Sequence, residues 1–172
     1  ITGPSGSGKS LLSNKLLKVF KNSIVINTDS YYRDNLLIRI LSKFKFDIYD
    51  RPLSIMRNKV KNTIESIYNK DKLISLYHYN FIKKKSSKSS TSFNYNSKNQ
   101  FLIIEGVFSH RLYLNYHKSV NIVCMEGKDI CFKRRLIRDQ LHRGRKRSEI
   151  NKKFNKSWYL FNQNIKTFQT SY

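Results

Sequence analysis

Residues Gly3-Pro4-Ser5-Gly6-Ser7-Gly8-Lys9-Ser10 carry the spacing G-x-x-x-x-G-K-S of a Walker A loop, in which each position has its own physical task. Gly6 and Gly8 can take positive φ angles, which turns successive backbone N–H groups inward around a polyphosphate. Lys9 adds a mobile cation for the β- and γ-phosphates, and the Ser10 hydroxyl can ligate Mg²⁺. Further along, Asp29 follows a short apolar stretch. A carboxylate there can take a proton from an attacking hydroxyl or hold a metal's water. Glu105 closes another apolar run and can complete a Mg²⁺ shell with Ser10 and water. Arg135, Arg138, Arg143 and Arg145 form a second basic element, whose guanidinium groups can grip phosphoryl oxygens and close over them as a lid. Together these groups point to binding of a nucleoside triphosphate and transfer of its terminal phosphoryl group. Each also has a plainer reading: Asp29 as a cap for the Ser30 turn, Glu105 as a surface acid, the arginines as a solvated helix face.

These residues need a scaffold that brings strand ends and a helix start together. Ile1-Thr2 reads as the end of a strand. Leu12, Leu16, Val19 and Phe20 recur at helical spacing, so a helix N-terminus points at the anion. Ser23–Asn27, Phe101–Gly106 and Val120–Met125 read as strands, and Asp29 lies beyond the carboxyl end of the first of these, where α/β proteins place their sites. Pro52 opens a helix with Leu53, Met56, Val60, Ile64 and Ile67 on one face. Asp129–His142 reads as a helix with Ile130, Ile137 and Leu141 on one side, and Gly144 loosens the backbone after it. The last helix runs from Ser148 to about Gln163, with no closing strand by Tyr172. This alternation predicts a three-layer α/β fold, a parallel sheet flanked by helices. An insertion over residues 73–96 reads as a projecting hairpin with strands Leu73–Phe81 and Thr91–Tyr95. The low-complexity run Lys83–Ser90 separates them as a mobile link.

The composition narrows the partners. A chain of 172 residues fits one domain. It starts at Ile1 inside a strand, which reads as truncation at the start, and the missing last strand reads as truncation at the end. The net charge of +23 would ordinarily point to nucleic acid or an anionic membrane. The chain has no alanine, however, and is crowded with Lys, Asn, Ile, Tyr and Phe, residues with A/T-rich codons. Scattered lysines then reflect genome nucleotide bias, and the charge is assigned to a solvated surface. A nucleic-acid-binding ATPase stays as the competing class, motivated by charge alone. No apolar run approaches the ~20 residues needed to span a bilayer. Cys124 and Cys131 read as reduced thiols of a cytoplasmic protein. A GTPase is disfavoured: Asn69-Lys70-Asp71-Lys72 lacks the N-K-x-D spacing, and no D-x-x-G follows the third strand.

Taken in order, several motifs resemble uridine/cytidine kinases of the phosphoribulokinase–uridine kinase group of P-loop kinases. They are Gly3–Ser10, Thr28-Asp29-Ser30-Tyr31-Tyr32, Tyr49-Asp50-Arg51-Pro52, Ile104-Glu105-Gly106-Val107, Arg134–Asp139 and Arg143-Gly144-Arg145. The resemblance implies phosphorylation of a nucleoside 5′-hydroxyl, most simply that of uridine or cytidine, by ATP or GTP with Mg²⁺. It implies Asp29 as general base, Ser10 and Glu105 at the metal, and Asp50 with Arg135 at the ribose hydroxyls. Arg138, Arg143 and Arg145 then serve the lid and phosphates, and the hairpin forms part of the acceptor pocket. A homo-oligomer is also implied. Tyr77 and Tyr79 match an aromatic pair that stacks on a pyrimidine. The family's hairpin histidine falls on Ile82 and its arginine on Lys84, while His78 points to the opposite face and His142 replaces the usual glutamate before the lid. These departures affect base recognition, and they keep open another hydroxyl-bearing acceptor, a sugar phosphate or a different nucleoside.

Overall fold

The computed structural model describes residues 1–44, 48–95, 100–114 and 118–169. Helices and strands follow the order α1 (Lys9–Val19), β1 (Ser23–Asn27), α2 (Leu36–Phe44), α3 (Arg57–Tyr68), β2 (Ile74–Asn80), β3 (Lys85–Thr91), β4 (Phe101–Glu105), α4 (Lys128–Arg143) and α5 (Arg147–Gln169). β1 and β4 pair in parallel, with Asn27 opposite Glu105 at the carboxyl end. Thr2 continues the layer, bridging in parallel to Gly106 on one side and Val123 on the other. The spatial order is therefore β1, β4, Thr2, Val123. The fold is α/β, a parallel sheet flanked by helices, as the alternation predicts.

Alternation along β1 and β4 decides what covers the sheet. Ile24 and Ile26 are buried with Val60, Ile64 and Ile67 of α3, and Leu102 and Ile104 pack against that same cluster. The apolar rhythm of α3 is thus spent on this face. α1 contacts both β1 and β4. A second apolar group joins the C-terminal helices, where Phe154, buried in α5, meets Phe132 of α4 with ring centroids 5.2 Å apart.

Several elements differ from the sequence expectation. Val120–Met125 is not a strand; only Val123 bridges, because its partner Thr2 is followed at once by the turn into the Walker loop. Pro52 opens a 3-10 turn over Pro52–Ser54, and α3 starts at Arg57 after extended backbone at Ile55, so Leu53 is exposed. On α4 the apolar side is the wrong one: Ile130, Ile137 and Leu141 are exposed, while Cys131, Arg135 and Asp139 are buried. The helix turns its ion-paired stripe inward and leaves the aliphatic one outside. α5 starts one residue earlier than read and runs to Gln169, and Tyr172 lies outside the described residues. α2 carries no motif and escaped the sequence reading. Both cysteines are free, Cys131 buried and Cys124 half-buried.

The hairpin exists, but its second strand is the Lys/Ser run itself. β2 and β3 pair antiparallel, with Tyr79 opposite Ser86 and Tyr77 opposite Lys88. Thr91–Tyr95, read as the second strand, contributes only Thr91, and Asn96 lies outside the described residues. A local device overrides weak strand propensity: the Asn80 side chain accepts the N–H groups of Ile82 and Lys83 at 3.0 and 2.8 Å, and Lys84 takes φ 50°. Asp34 then pins the strand by accepting the Ser86 N–H at 2.9 Å.

Candidate active site

The parallel register brings the two predicted carboxylates to one place. The 3-10 turn Thr28–Ser30 follows β1 directly and carries Asp29. Asn27 serves both acids: its Oδ1 accepts the Asp29 N–H at 2.8 Å, and its Nδ2 donates to Glu105 Oε1 at 3.1 Å. The Val107 N–H donates to Asp29 Oδ1 at 3.1 Å. This crossing is tight enough to exclude a side chain at Gly106, where a Cβ would lie 1.8 Å from Thr28 Oγ1.

The Walker loop wraps the other side. Gly8 caps α1 in the left-handed region with φ 93°. Gly6 has φ 92°, and a Cβ there would meet the Cys131 carbonyl oxygen at 2.3 Å, so the loop is seated on the start of α4. Lys9 is buried, and its Nζ donates to the Pro4 carbonyl at 3.0 Å. Burial lowers its pKa, and the negative charges of Asp29 and Glu105 partly restore it. Glu105 is 4 % exposed. Burial pushes its carboxyl up, opposed by the neighbouring Ser10 hydroxyl and the Lys9 charge, while Asp29 adds to the rise.

A cleft of about 290 Å³ lies between these parts. Ser5, Gly6, Gly8, Lys9, Ser10, Asp29, Glu105, Arg135, Arg138 and Arg143, all predicted site residues, line it. Gly3, Pro4 and Ser7 form the back of the loop: the Ser7 N–H donates to Pro4 O at 3.2 Å, and Gly3 packs on Cys124.

One acid that carried no predicted role organises the arginines. Asp139 is fully buried. Its Oδ1 accepts Arg138 Nε and Nη2 at 2.9 and 2.8 Å and pairs with Arg143 Nη1 at 3.3 Å. Its Oδ2 takes Arg145 Nη1 at 3.0 Å and pairs with Arg135 Nε at 3.7 Å. Burial alone would raise its carboxyl; the charges of Arg138 and Arg143, with the Arg138 hydrogen bond, outweigh burial and hold it below the usual range. Arg138 also reaches Ser5 Oγ at 3.2 Å, joining the cluster to the Walker loop. Arg135 Nη1 donates to Ser157 Oγ at 2.6 Å. Arg145 is turned to Asp139 and is not among the residues lining the cleft.

Of the predicted acceptor residues only Arg135 lines the cleft; Asp50, Tyr77, Tyr79 and Arg145 are not among its lining residues. The Tyr77 ring lies 5.2 Å from that of Tyr31, and the Tyr79 ring lies 5.4 and 5.9 Å from those of Tyr32 and Tyr49. Asp50 ends the 3-10 turn Ile48–Asp50. Tyr32 is buried between the two regions: burial first, then the charges of Asp29 and Asp50, hold its hydroxyl well above the ordinary phenol value. Sequence reasoning missed Asn27, Leu11, Phe81 and Arg134, which also line the cleft. Arg134 Nη1 donates to the Gly6 carbonyl at 3.2 Å. Phe81 continues the every-second-residue aromatic series of Tyr77 and Tyr79, a signal that was available.

Among the described residues no group of three or more His, Cys, Asp and Glu is placed to hold a metal. The donor set that does exist, the Ser10 hydroxyl beside a buried carboxylate, suits a hard cation completing its shell with phosphate oxygens and water. Among the described residues no helix is long and apolar enough to cross a membrane.

A family profile described as Phosphoribulokinase / Uridine kinase matches residues 1–171. The chain is 28% identical over 158 residues to a uridine kinase of Haemophilus ducreyi, covering 87% of this chain and 70% of that relative. It is 28% identical over 156 residues to a uridine kinase of Haemophilus influenzae, covering 84% and 69%. A solved structure of D-glycerate 3-kinase from Cryptococcus neoformans is similar with a TM-score of 0.42 and 18% identity. That likeness covers 90% of this chain and spans 56% of the other's length.

Proposed function

The chain belongs to the phosphoribulokinase / uridine kinase family and is a phosphotransferase acting on a hydroxyl group; within that class we propose that it phosphorylates the 5′-hydroxyl of uridine or cytidine, using ATP or GTP with Mg²⁺. The observation that carries this reading is the convergence of Lys9, Ser10, Asp29 and Glu105 on one cleft whose further wall is Arg138 and Arg143.

In this reading the Walker loop amides and Lys9 hold the β- and γ-phosphates. Asp29 Oδ1 is occupied by the Val107 N–H, so Oδ2 is the atom that takes the proton from the attacking hydroxyl. Arg138 and Arg143 meet the negative charge that spreads over the transferring group, already oriented by Asp139. Ser10 and Glu105 would hold Mg²⁺, which would supply positive charge against the phosphates. Asn27 keeps both carboxylates in register. Asp50 and the hairpin tyrosines form the acceptor side.

A second acceptor class has its own observation. Ile82, at the position of the family's base-binding histidine, is 69 % exposed and offers no hydrogen bond to a base. A related acceptor, a sugar phosphate or a different nucleoside, fits the same transfer chemistry. The deciding experiment is a steady-state survey with MgATP and MgGTP against pyrimidine nucleosides, purine nucleosides and sugar phosphates. Turnover on uridine or cytidine supports the first reading. Turnover on another acceptor with none on uridine or cytidine replaces it. Hydrolysis stimulated by RNA or DNA, with steep salt dependence, would instead favour a nucleic-acid-binding ATPase.

A further inference from the structure

Phe81 is the point where the hairpin reaches the arginine cluster. The Arg143 guanidinium carbon stands 3.8 Å from the centroid of the Phe81 ring. Behind, that ring packs edge-on against Tyr79 and Tyr32, at 5.1 and 5.8 Å. On its far side Arg143 is paired with Asp139 at 3.3 Å, and its side chain is 18 % exposed. A guanidinium lying on a ring uses its flat face, so the in-plane N–H donors that Asp139 does not engage can meet phosphoryl oxygens. The ring's negative face adds to the attraction of Asp139 in a site where burial, then the Arg138 charge, bring the Arg143 pKa down to about 10.

We propose that Phe81 is a positioning residue: its ring face holds Arg143 over the cleft, between the aromatic cluster and Asp139, and so ties the acceptor hairpin to the phosphate clamp. The inference rests on the nucleotide-binding part of the reading above and not on the identity of the acceptor. A merely space-filling role would need apolar volume at residue 81; the proposed role needs an aromatic face.

The test is a double-mutant cycle on the present chain. Phe81→Ala, Phe81→Leu, Arg143→Ala and the Phe81→Ala/Arg143→Ala pair are titrated calorimetrically with the Mg²⁺ complexes of non-hydrolysable ATP and GTP analogues, alongside thermal melts. Phe81→Ala and Phe81→Leu should each weaken the preferred analogue roughly tenfold. Arg143→Ala should weaken it at least as much, and the pair by no more than about twofold beyond Arg143→Ala. Wild-type affinity in Phe81→Leu, or losses that simply multiply in the pair, would overturn the proposal. If the unaltered chain binds neither analogue, the nucleotide reading falls and this inference with it. A non-additive cycle in a protein that does not phosphorylate uridine would retire that acceptor and leave the role of Phe81 standing.

Discussion

The Asn27 side chain donates to Glu105 Oε1 at 3.1 Å, across the last paired position of β1 and β4, while accepting the backbone N–H of Asp29 at 2.8 Å. One amide thus sets the spacing between an acid assigned to the proton and an acid assigned to the metal. The two roles separate in experiment.

Asp29→Asn keeps the shape and the hydrogen bond to Val107 but removes the proton acceptor. Turnover should fall on the order of 10²-fold or more with nucleotide affinity nearly unchanged. Rate measurements beside binding titrations check this, and unaltered turnover would remove Asp29 from its assigned role.

Glu105→Gln should move stability and function in opposite directions. The folded Glu105 pKa is raised above its ordinary value, so its contribution is fully present below pH 4.5 and lost as pH rises through the folded value. At neutral pH the charged acid is therefore a cost, and the neutral amide should stabilise the ligand-free protein. The same change should raise the Mg²⁺ concentration needed for half-maximal turnover about tenfold. Denaturant melts and a Mg²⁺ titration read the two effects separately.

Asp139→Asn leaves Arg135, Arg138, Arg143 and Arg145 without their shared anion. Breaking a buried ion pair from one side costs about 3 kcal/mol or more, and nucleotide affinity should fall as Arg138 and Arg143 lose their orientation. Because the folded Asp139 pKa is depressed, its stabilisation is present above the ordinary carboxylate range and lost as pH falls through the folded value. The wild-type protein should show that extra acid sensitivity and the variant should not.

His110 is buried against Phe161, with Thr2 Oγ1 2.8 Å from its Nδ1. Burial first, then the Arg111 charge, bring its pKa from 6.5 down to about 4. The neutral ring is the native form, so stability present above pH 6.5 is lost as pH falls towards 4, by about 3 kcal/mol in all. His110→Gln should flatten the stability profile in that window by close to one proton. An unchanged slope would place the acid sensitivity elsewhere.

The Walker loop, Asp29, Glu105 and the lining arginines were legible because each depends on local spacing: a fixed glycine pattern, an acid after a strand, a basic helix. The covering of β1 and β4 by α3 followed from apolar rhythm. What was hidden depends on partners distant in sequence or on competition. On α4 the aliphatic stripe of Ile130, Ile137 and Leu141 looks like the buried side, yet the helix turns Cys131, Arg135 and Asp139 inward, and the Arg145 partner of Asp139 lies beyond the helix end. The Lys/Ser run lacks strand propensity, and it becomes β3 because the turn at Asn80 and the anchor at Asp34 leave it facing β2. The pairing of Arg145 with Asp139, six residues before it, depends on the left-handed turn at Gly144 and is not visible in residue type.

β3 has one further consequence. It pairs only with β2 among the described residues, and beyond the Ser86 N–H that Asp34 accepts, its other rim carries backbone groups that a foreign strand could extend. Lys85 and Lys88 are exposed on it, between short hydroxyl side chains. Two such rims laid together would crowd ammonium groups along one seam with no greasy surface in return. The serine and lysine bias that makes this strand hard to recognise thus also guards it against zipping to its own copies.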